Sequence, residues 1–349
     1  MADRRLKVAL LGATGMVGQR FVHLLEGHPW FELAALVASD RSAGKPYGEA
    51  VRWLLPGGVP ESAAGMPVRP LDPGGIEAAF AFSALDAATA SEAEPAFRAA
   101  GFTVISNASA LRMDPQVPLV IPEVNADHLA LLASQRARYG GAVAANPNCS
   151  TIGLCLSLEP LRRAFGLRRV LVTTLQALSG AGHPGVASLE ALDNVLPEIS
   201  GEEAKLRAEP AKIFGRLVSG SVRPAELPLG AQCNRVPVRD GHVLSVSVEL
   251  ERPADMEEVR RAFMSYRSPL AGLGLPSAPE RPVVLEEGFA RPQPLLDRDR
   301  CGGMAVTVGR LQPCPILGLR YAALVHNTIR GAAGGTLLIA ELMKAQGLL

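Results

Sequence analysis

Short apolar runs alternate with amphipathic stretches over the first third of the chain. The apolar runs predict β-strands, at residues 6–11, 33–37, 79–82, 102–105 and 142–144. Apolar residues recurring at intervals of three and four predict helices, directly after the first run and at residues 89–100 and 125–139. Strands that alternate with helices are typical of a parallel sheet covered by helices on both faces.

The pattern changes from about residue 168 onwards. Runs rich in Val, Leu and Thr predict further strands, at residues 169–177, 244–250, 304–308 and 316–325. Helices are predicted between them, at residues 186–195, 202–214 and 255–265. Because strands outnumber helices here, a largely antiparallel sheet is favoured. The chain closes with an amphipathic helix at 331–344, which we expect to pack back on the first region.

Three glycines follow the first predicted strand at intervals of three residues. Gly12 would permit a tight turn, Gly15 would let a pyrophosphate approach the backbone, and Gly18 would allow close helix–strand packing. The spacing differs from the commoner GxGxxG, and such patterns also arise by chance. Its position between a strand and a helix still predicts a dinucleotide-binding turn in a Rossmann-type domain.

The end of the second predicted strand indicates which dinucleotide binds. NAD-binding domains usually carry an acidic residue there, which bonds the ribose 2′-hydroxyl. In this chain Ser39, Arg41 and Ser42 follow the strand, and a guanidinium with two hydroxyls suits a 2′-phosphate. NADP is therefore favoured, although Asp40 leaves NAD open and Arg41 could instead be a solvated loop residue.

Composition limits the classes of protein to consider. With 349 residues, of which 48% are hydrophobic and 20% charged, the chain is long enough for two globular domains. A formal net charge of +1 provides no long-range attraction for nucleic acid or an anionic membrane, and no stretch resembles a transmembrane span or signal peptide. The five cysteines are widely spread without CxxC or CxxH spacing, which favours reduced thiols in the cytoplasm over disulfides or a zinc site.

One cysteine stands between a Pro/Asn turn and an amphipathic run, in the sequence Asn146-Pro147-Asn148-Cys149-Ser150-Thr151. A thiol at the first turn of a helix lies at the positive end of the helix dipole, which favours the thiolate. The thiolate is the nucleophilic form, so this arrangement is typical of covalent catalysis. A buried structural cysteine at a helix start is the alternative.

Two polar residues of the second region are further candidates. His242 precedes a strong predicted strand and could serve as a general base near neutral pH, or it could be a surface or structural histidine. Gln176 falls inside a strand, either as a substrate-holding side chain or as a hydrogen-bonded core amide. The glycine-containing loop at 179–182 follows it and can approach a ligand closely.

Together these segments resemble aspartate-β-semialdehyde dehydrogenase, particularly the branch found in archaea and fungi. The resemblance runs nearly end to end, over segments at residues 12–15, 39–42, 107–112, 148–151, 175–182, 192–194, 201–205, 235–242 and 326–333. It implies an α/β fold with an N-terminal Rossmann-type parallel-sheet domain made of residues 1–147 and 327–349. An α+β catalytic and dimerisation domain with a largely antiparallel sheet would span residues 148–326.

The resemblance also implies a role for each matching residue. Cys149 corresponds to the nucleophile, His242 to the acid/base, and Gln176 to the residue that holds the substrate near the thiol. The implied substrate-binding residues are Asn148, Arg235 for the α-carboxylate, Glu202 for the amino group, and Lys205 with Arg112 for the phosphate. The implied cofactor-binding residues are Gly12, Thr14, Gly15, Met16, Val17, Ser39, Arg41, Ser42, Ser83, Leu85, Ser179, Gly180 and Asn327.

The implied reaction is the reversible, NADP-dependent reductive dephosphorylation of L-4-aspartyl phosphate to L-aspartate 4-semialdehyde, on the route to lysine, threonine and methionine. Cys149 would attack the acyl carbon and expel phosphate, leaving a thioester that hydride from NADPH reduces while His242 supplies a proton to sulfur. Backbone amides at the helix start, especially that of Cys149, are the expected oxyanion donors. A homodimer or homotetramer joined through the second sheet is also implied.

Other enzymes with this architecture remain alternatives. A short-chain malonyl-CoA reductase is the nearest, since it also needs an arginine for a carboxylate, but its substrate offers no amino group to Glu202. N-acetylglutamyl-phosphate reductase acts on a blocked amino group, and a phosphorylating glyceraldehyde-3-phosphate dehydrogenase does not match these motifs. A catalytically silent cofactor-binding protein would lack the thiol, the histidine or the arginine, and all three are present.

Overall fold

In a computed structural model that describes residues 5–349, the first sheet contains six strands. Their bounds are β1 (Leu6–Leu11), β2 (Phe31–Val37), β3 (Val68–Arg69), β4 (Phe80–Ser83), β5 (Thr103–Ser106) and β6 (Ala142–Ala145). Residues 1–4 of the predicted first domain lie outside the described residues. The spatial order is β3-β2-β1-β4-β5-β6, and every pairing is parallel, as predicted. The order reverses between β1 and β4, so a crevice opens at their carboxyl ends, where such sheets bind ligands.

Helices connect these strands. Their bounds are α1 (Met16–Leu25), α2 (Tyr47–Ala50), α3 (Glu61–Ala64), α4 (Ala87–Ala99), α5 (Pro122–Asn125) and α6 (Leu131–Tyr139). The predicted helix at 89–100 is α4, which starts earlier because the side chain of Asp86 caps it by accepting the Thr89 N–H at 3.0 Å. The predicted helix at 125–139 begins as a 3-10 turn over Ala126–Ala130 and continues as α6.

The second sheet also has six strands, in the order β10-β7-β11-β14-β13-β12. The strands after β6 are β7 (Leu167–Gln176), β8 (Arg216–Val218), β9 (Ser221–Arg223), β10 (Leu229–Arg235), β11 (His242–Leu250), β12 (Val283–Glu286), β13 (Val306–Cys314) and β14 (Gly318–Val325). The central pairings from β7 to β13 are antiparallel, as predicted, but β10 and β12 join the two edges in parallel. The sheet is therefore mixed, while β8 and β9 form a separate small hairpin.

The remaining helices are α7 (Cys149–Phe165), α8 (Ser188–Ala191), α9 (Glu202–Ile213), α10 (Met256–Ser265), α11 (Pro294–Asp297) and α12 (Gly334–Ala345). The prediction of a helix over 186–195 is wrong, because only the single turn α8 forms there. Leu189 and Leu192 in this segment are 92% and 64% exposed, so their apolar spacing meets no core that would stabilise a longer helix. Strand β10 was not predicted, since Gln232 and Asn234 interrupt its apolar pattern.

The last helix packs into the core of the first sheet, as its amphipathic pattern predicts. Leu337, Leu338 and Met343 of α12 are buried in the same apolar cluster as Phe21 and Phe82. This return brings the segment between β14 and α12 alongside the start of α7. Within residues 5–349, no helix combines the length and apolarity needed to cross a bilayer.

Candidate active site

Three strand ends and one helix start meet at a single edge of the second sheet. Strand β7 ends at Gln176 and pairs in register with Arg235 at the end of β10. Strand β11 runs antiparallel to β7 and begins at this edge with His242. Helix α7 leads directly into β7 and runs in the opposite direction, so its first residue, Cys149, also lies here. The topology thus gathers residues that are far apart in sequence.

Helix α7 starts in a tightly held turn. The side-chain oxygen of Asn148 accepts the N–H groups of Ser150 at 2.9 Å and Thr151 at 3.2 Å, which makes Asn148 the N-cap. The side-chain amide of Asn148 donates to Glu202 at 2.8 Å, and its backbone N–H donates to Glu209 at 2.7 Å. Two carboxylates of α9 therefore fix the residue that precedes Cys149.

Gly331 lies directly against Cys149. A Cβ atom on Gly331 would stand 2.6 Å from the Cβ of Cys149, closer than side-chain atoms approach one another. Gly331 belongs to a π-helical turn, Ile329–Ala333, and its N–H donates to the carbonyl of His326 at 3.0 Å. Only a bare backbone fits beside the cysteine, so the segment before α12 forms one wall of the site. Sequence reasoning gave Gly331 no role, because only the distant partner reveals the need for glycine.

The surroundings of the Cys149 thiol act on its pKa in the direction opposite to that expected from its place at a helix start. Burial raises its pKa to about 12, and the negative charge of Glu202 acts in the same direction. Arg112, the N–H of Ser150 and Arg235 lower the pKa, but their combined effect is smaller. Desolvation of the thiolate is the largest of these effects.

His242 is fully buried, and its two ring nitrogens have different surroundings. Nδ1 accepts the backbone N–H of Ala177 at 3.0 Å, while Nε2 has no hydrogen-bond partner among the described residues. Burial and the positive charge of Arg235 lower the pKa of His242 to about 3, so the ring is neutral at physiological pH. A Cβ on Gly180 would stand 3.1 Å from Nε2 and 2.8 Å from Nη1 of Arg235, so this loop closes over both side chains.

Arg235 and Glu202 are charged groups held in a largely buried setting. Nη1 of Arg235 donates to the carbonyl of Ala177 at 2.8 Å, which orients the guanidinium and leaves further N–H donors. Glu202 accepts Lys205 at 2.8 Å and the side-chain amide of Gln176 at 3.3 Å. Although burial opposes ionisation, Lys205, Asn148 and Gln176 hold the pKa of Glu202 below its ordinary value. A guanidinium and a carboxylate in one site suit an amino acid substrate.

One face of α9 carries two further charged residues that sequence reasoning missed. Glu209 accepts Nη1 of Arg112 at 3.0 Å, and Lys212 donates to the carbonyls of Arg112, Asp114 and Val117 at 2.6, 2.6 and 2.8 Å. Burial lowers the pKa of Lys212 to about 8. Both residues follow Glu202 and Lys205 at intervals of three and four positions, so the sequence could have predicted one charged face of the helix.

The glycine turn after β1 has the backbone geometry that its sequence predicts. Gly12 adopts φ +78°, and a Cβ there would stand 2.7 Å from the carbonyl oxygen of Ala84. A Cβ on Gly18 would stand 2.3 Å from the carbonyl oxygen of Gly12, while a Cβ on Gly15 would stand 3.4 Å from the same oxygen. Among residues 5–349 no side chain caps α1, so its first N–H groups are available to an anion.

The other predicted cofactor residues of the first domain stand at the same carboxyl edge. The residues that are at least partly exposed at this edge are Thr14, Met16, Val17, Ser39, Arg41, Ser42 and Leu85. Arg41 makes no hydrogen bond or ion pair with its side chain within residues 5–349, which leaves its charge available for a phosphate. Ser83 differs, because its side chain is fully buried and Ala84 and Leu85 form the surface at the end of β4.

A cavity of about 460 Å³ joins the two regions. Met16 and Arg20 of α1 line one side, and Ser179 and Thr328 line the other. Asn327 donates to the hydroxyl of Ser179 at 2.8 Å and accepts the N–H of Gly241 at 2.9 Å. Residues predicted to bind cofactor from both ends of the chain are thus brought together. In the described part of the chain, no group of three or more His, Cys, Asp or Glu side chains is placed to hold a metal.

Two family models match the chain. The semialdehyde dehydrogenase NAD-binding domain matches residues 7–132, and the semialdehyde dehydrogenase dimerisation domain matches residues 158–330. Aspartate-semialdehyde dehydrogenase of Archaeoglobus fulgidus is 50% identical, over 97% of this chain and 98% of its own length. The enzyme of that name from Saccharomyces cerevisiae is 42% identical over the full length of both chains.

Solved structures show the same similarity. A crystal structure of aspartate-semialdehyde dehydrogenase with NADP, from Candida albicans, superposes with a TM-score of 0.93 at 41% identity, covering 99% of this chain and 100% of that one. A Vibrio cholerae aspartate-semialdehyde dehydrogenase II complexed with ASA superposes with a TM-score of 0.77 at 28% identity, covering 98% and 99%.

Proposed function

Because this chain belongs to the semialdehyde dehydrogenase family, we propose that it catalyses the reversible, NADP-dependent reductive dephosphorylation of L-4-aspartyl phosphate to L-aspartate 4-semialdehyde. One observation carries the proposal. Cys149, the buried carboxylate of Glu202 and the buried guanidinium of Arg235 lie together at one edge of the second sheet. Its relatives over nearly the whole chain bear the name of that activity. The malonyl-CoA reductase alternative finds no support among them.

Cys149 is the nucleophile of the proposed reaction. Its sulfur forms a bond to the acyl carbon as the carbon–oxygen bond to phosphate breaks, which gives a thioester. The backbone N–H of Cys149 is the oxyanion donor at the start of α7, because Asn148 already accepts the N–H groups of Ser150 and Thr151. Losing one such donor typically costs on the order of 100–1,000-fold in rate. Gln176 lies at the end of β7 and donates a hydrogen bond to Glu202. It positions the bound substrate near the thiol.

Two buried charges recognise the amino acid part of the substrate. Arg235 binds the α-carboxylate, since a guanidinium offers a planar pair of donors to two carboxylate oxygens. Glu202 receives the amino group, for which a malonyl thioester has no counterpart.

The phosphate binds between Lys205 and Arg112. Each of these cations already has a carboxylate partner, Glu202 at 2.8 Å and Glu209 at 3.0 Å. The subsite is therefore close to charge-balanced before substrate binds, which favours release of the product phosphate.

The residues present fit NADP. The bare turn at Gly12 and Gly15 with the uncapped start of α1 would hold the pyrophosphate, and Arg41 with Ser39 and Ser42 would hold the 2′-phosphate. Ser179 and Asn327, bonded to each other, would lie at the nicotinamide end of the cleft with Gly180. When bound, the cofactor supplies or accepts the hydride.

A second copy of the chain covers the outer face of the second sheet in this proposal. Leu171 and Leu175 of β7 point out of that face and are 53% and 41% exposed. The family model for this region is a dimerisation domain. Light scattering should give at least a dimer, and Leu171→Asp should shift the protein toward monomer; a monomeric wild-type protein contradicts this.

Two parallel assays test the reaction. Phosphate-dependent reduction of NADP with aspartate semialdehyde should proceed, and malonyl-CoA-dependent oxidation of NADPH should not. Glu202→Gln separates the substrates further, because it should impair use of the amino-bearing substrate. Activity with malonyl-CoA alone would overturn the assignment.

A further inference from the structure

Glu209 connects two segments that lie far apart in the chain. Its carboxylate is buried, with only 2% of the side chain exposed. One oxygen, Oε1, accepts Nη1 of Arg112 at 3.0 Å, and the other, Oε2, accepts the backbone N–H of Asn148 at 2.7 Å. Arg112 follows β5, and Asn148 directly precedes α7. One carboxylate of α9 therefore holds both a buried cation and the residue before Cys149.

Helix α9 also fixes the main chain of Arg112. Lys212 lies three residues after Glu209, so the two side chains project from one face of the helix. Its Nζ donates to three backbone carbonyls within residues 112–117, at 2.6 to 2.8 Å. Nη2 of Arg112 donates to the carbonyl of Asn107 at 2.9 Å. Because the loop itself is held in place, the direction of the guanidinium depends on its side-chain partner, Glu209.

The guanidinium of Arg112 keeps donors that a ligand can use. Of its five N–H groups, Glu209 and Asn107 each accept one, and the buried Nε has no hydrogen-bond partner within residues 5–349. Burial raises the pKa of the Cys149 thiol and the charge of Arg112 lowers it, so the guanidinium acts close to the sulfur. The unused donors are therefore available to an anion bound beside the thiol.

A second buried carboxyl competes for the same cation. Glu94, on α4, accepts the hydroxyl of Ser106 at 2.5 Å with Oε1, whereas its Oε2 has no hydrogen-bond partner in the described part of the chain. Burial raises the pKa of Glu94 and the charge of Arg112 lowers it, so these two groups also interact. If Glu209 lost its charge, Glu94 would remain to attract the guanidinium, and Arg112 would no longer share a partner with the start of α7.

We propose that Glu209 is a positioning residue that orients Arg112 toward the phosphate of the substrate, at a separation from the thiol that its bond to Asn148 fixes. The inference rests on the proposed function, which places phosphate between Arg112 and Lys205. In the reverse reaction a phosphate oxygen bonds to the acyl carbon as the bond from that carbon to the sulfur of Cys149 breaks, and the proton of hydrogen phosphate ends on the sulfur. Both groups must therefore lie within reach of one carbon.

A double-mutant cycle tests whether Glu209 acts through Arg112. In the phosphate-dependent reduction of NADP with aspartate semialdehyde, Glu209→Gln should lower kcat/KM for phosphate by roughly tenfold or more, the size of one charge-assisted hydrogen bond. The kcat/KM for the semialdehyde should fall by a smaller factor. In an Arg112→Gln background, Glu209→Gln should cause no further loss with phosphate, because the group that it positions is already gone. The same loss in both backgrounds, or equal losses for both substrates, overturns the inference.

Two further variants sharpen this test. Glu209→Asp keeps the charge but is one methylene group shorter, so it cannot reach both donors; it should also lower kcat/KM for phosphate, and a wild-type value would overturn the inference. Arg207→Gln is the matched control, since Arg207 lies on the exposed side of α9, 3.8 Å from Glu203, and should leave phosphate use unchanged. NADPH binding checks that each variant is folded.

The wild-type protein separates failure of this inference from failure of the proposed function. Wild-type activity that needs phosphate, together with an unaffected Glu209→Gln variant, overturns the positioning role alone. A wild-type protein without phosphate-dependent activity overturns the proposed function, and the positioning role with it.

Discussion

The two sheet edges that we propose bind ligands differ in the groups that form them. At the edge of the first sheet, glycines at 12, 15 and 18 expose backbone, and the nearby Arg41 makes no ion pair within residues 5–349. At the edge of the second sheet, buried side chains satisfy one another, as Glu202 does with Lys205, Asn148 and Gln176. Removing one of several independent backbone contacts leaves the others intact. Removing one member of a buried hydrogen-bond network also leaves its partners without their hydrogen bonds. Substitutions should therefore cost more at the second edge than at the first.

Removal of the nucleophile should have the largest effect. Cys149→Ala should lower turnover by roughly 10,000-fold or more, because the thioester can no longer form. Cofactor binding, measured by NADPH fluorescence, should be unchanged because it depends on the other edge. Mass spectrometry of quenched wild-type protein should show an acyl adduct on Cys149; normal turnover in the variant would exclude covalent catalysis.

Removal of the buried guanidinium of Arg235 should have the second-largest effect on activity. Arg235→Leu should reduce kcat/KM for the semialdehyde by roughly 1,000-fold, since losing one partner of a buried charge pair typically costs about 2–5 kcal/mol. The KM for NADP should change little. An unchanged kcat/KM would mean that the substrate carboxylate is held elsewhere.

Adding a methyl group beside the nucleophile should have the third-largest effect on activity. Gly331→Ala puts a Cβ 2.6 Å from that of Cys149, so the thiol must shift, and a misplacement of about 1 Å can cost roughly 100-fold in kcat. Gly65→Ala is the matched control, because no atom lies within 4 Å of its added Cβ. If both variants keep wild-type kcat, the close contact does not constrain the thiol.

The protonation state of the free thiol gives a prediction about pH. Because burial raises the pKa of Cys149 to about 12, alkylation of free enzyme by iodoacetamide should accelerate by about tenfold per pH unit above neutrality, without levelling off near the ordinary thiol pKa. Cys314 is the comparison within the same protein, since backbone N–H groups of Leu317 and Ile316 lower its pKa. It should react faster than Cys149 at neutral pH. A plateau for Cys149 near neutrality would show that the thiolate is already stable.

The smallest effect is expected at the first edge. Arg41→Ala should raise the KM for NADP by roughly tenfold, as expected for one exposed charge-assisted contact of about 1.5 kcal/mol, and leave use of NAD nearly unchanged. Arg69→Ala is a control, because the side chain of that arginine, at the end of β3, already donates to the carbonyl of Gly75. An equal change for both cofactors would show that Arg41 does not read the 2′-phosphate.

Much of the fold followed from sequence patterns because those patterns are local. Five of the six strands of the first sheet were predicted from their apolar runs, and the glycine turn from its spacing, whereas the two-residue strand β3 was not predicted. The helix predicted over 186–195 failed, because periodicity at Leu189 and Leu192 says nothing about whether a core is present to receive it. Strand β10 was missed for the converse reason, since pairing with β7 stabilises a strand whose own pattern is polar.

The candidate site shows the same division. Motif resemblance selected Cys149, His242 and Arg235 as functional residues, and their roles stay predictions that the experiments above can test. It did not reveal Glu209 and Lys212, whose partners lie about 60 to 100 residues away in the chain. Nor did it reveal the need for glycine at 331, because the clash depends on the segment before α12 returning to α7.

The sequence by itself determined the two sheet-forming regions and the cofactor turn, and it singled out the candidate reactive side chains, since each depends on residues close together in the chain. Only the tertiary structure decided the protonation of those side chains. Burial raises the pKa of the Cys149 thiol, and the main-chain N–H of Ala177, directly after β7, faces Nδ1 of His242. Protonation depends on desolvation and on neighbours in space, and no local pattern in a sequence records either.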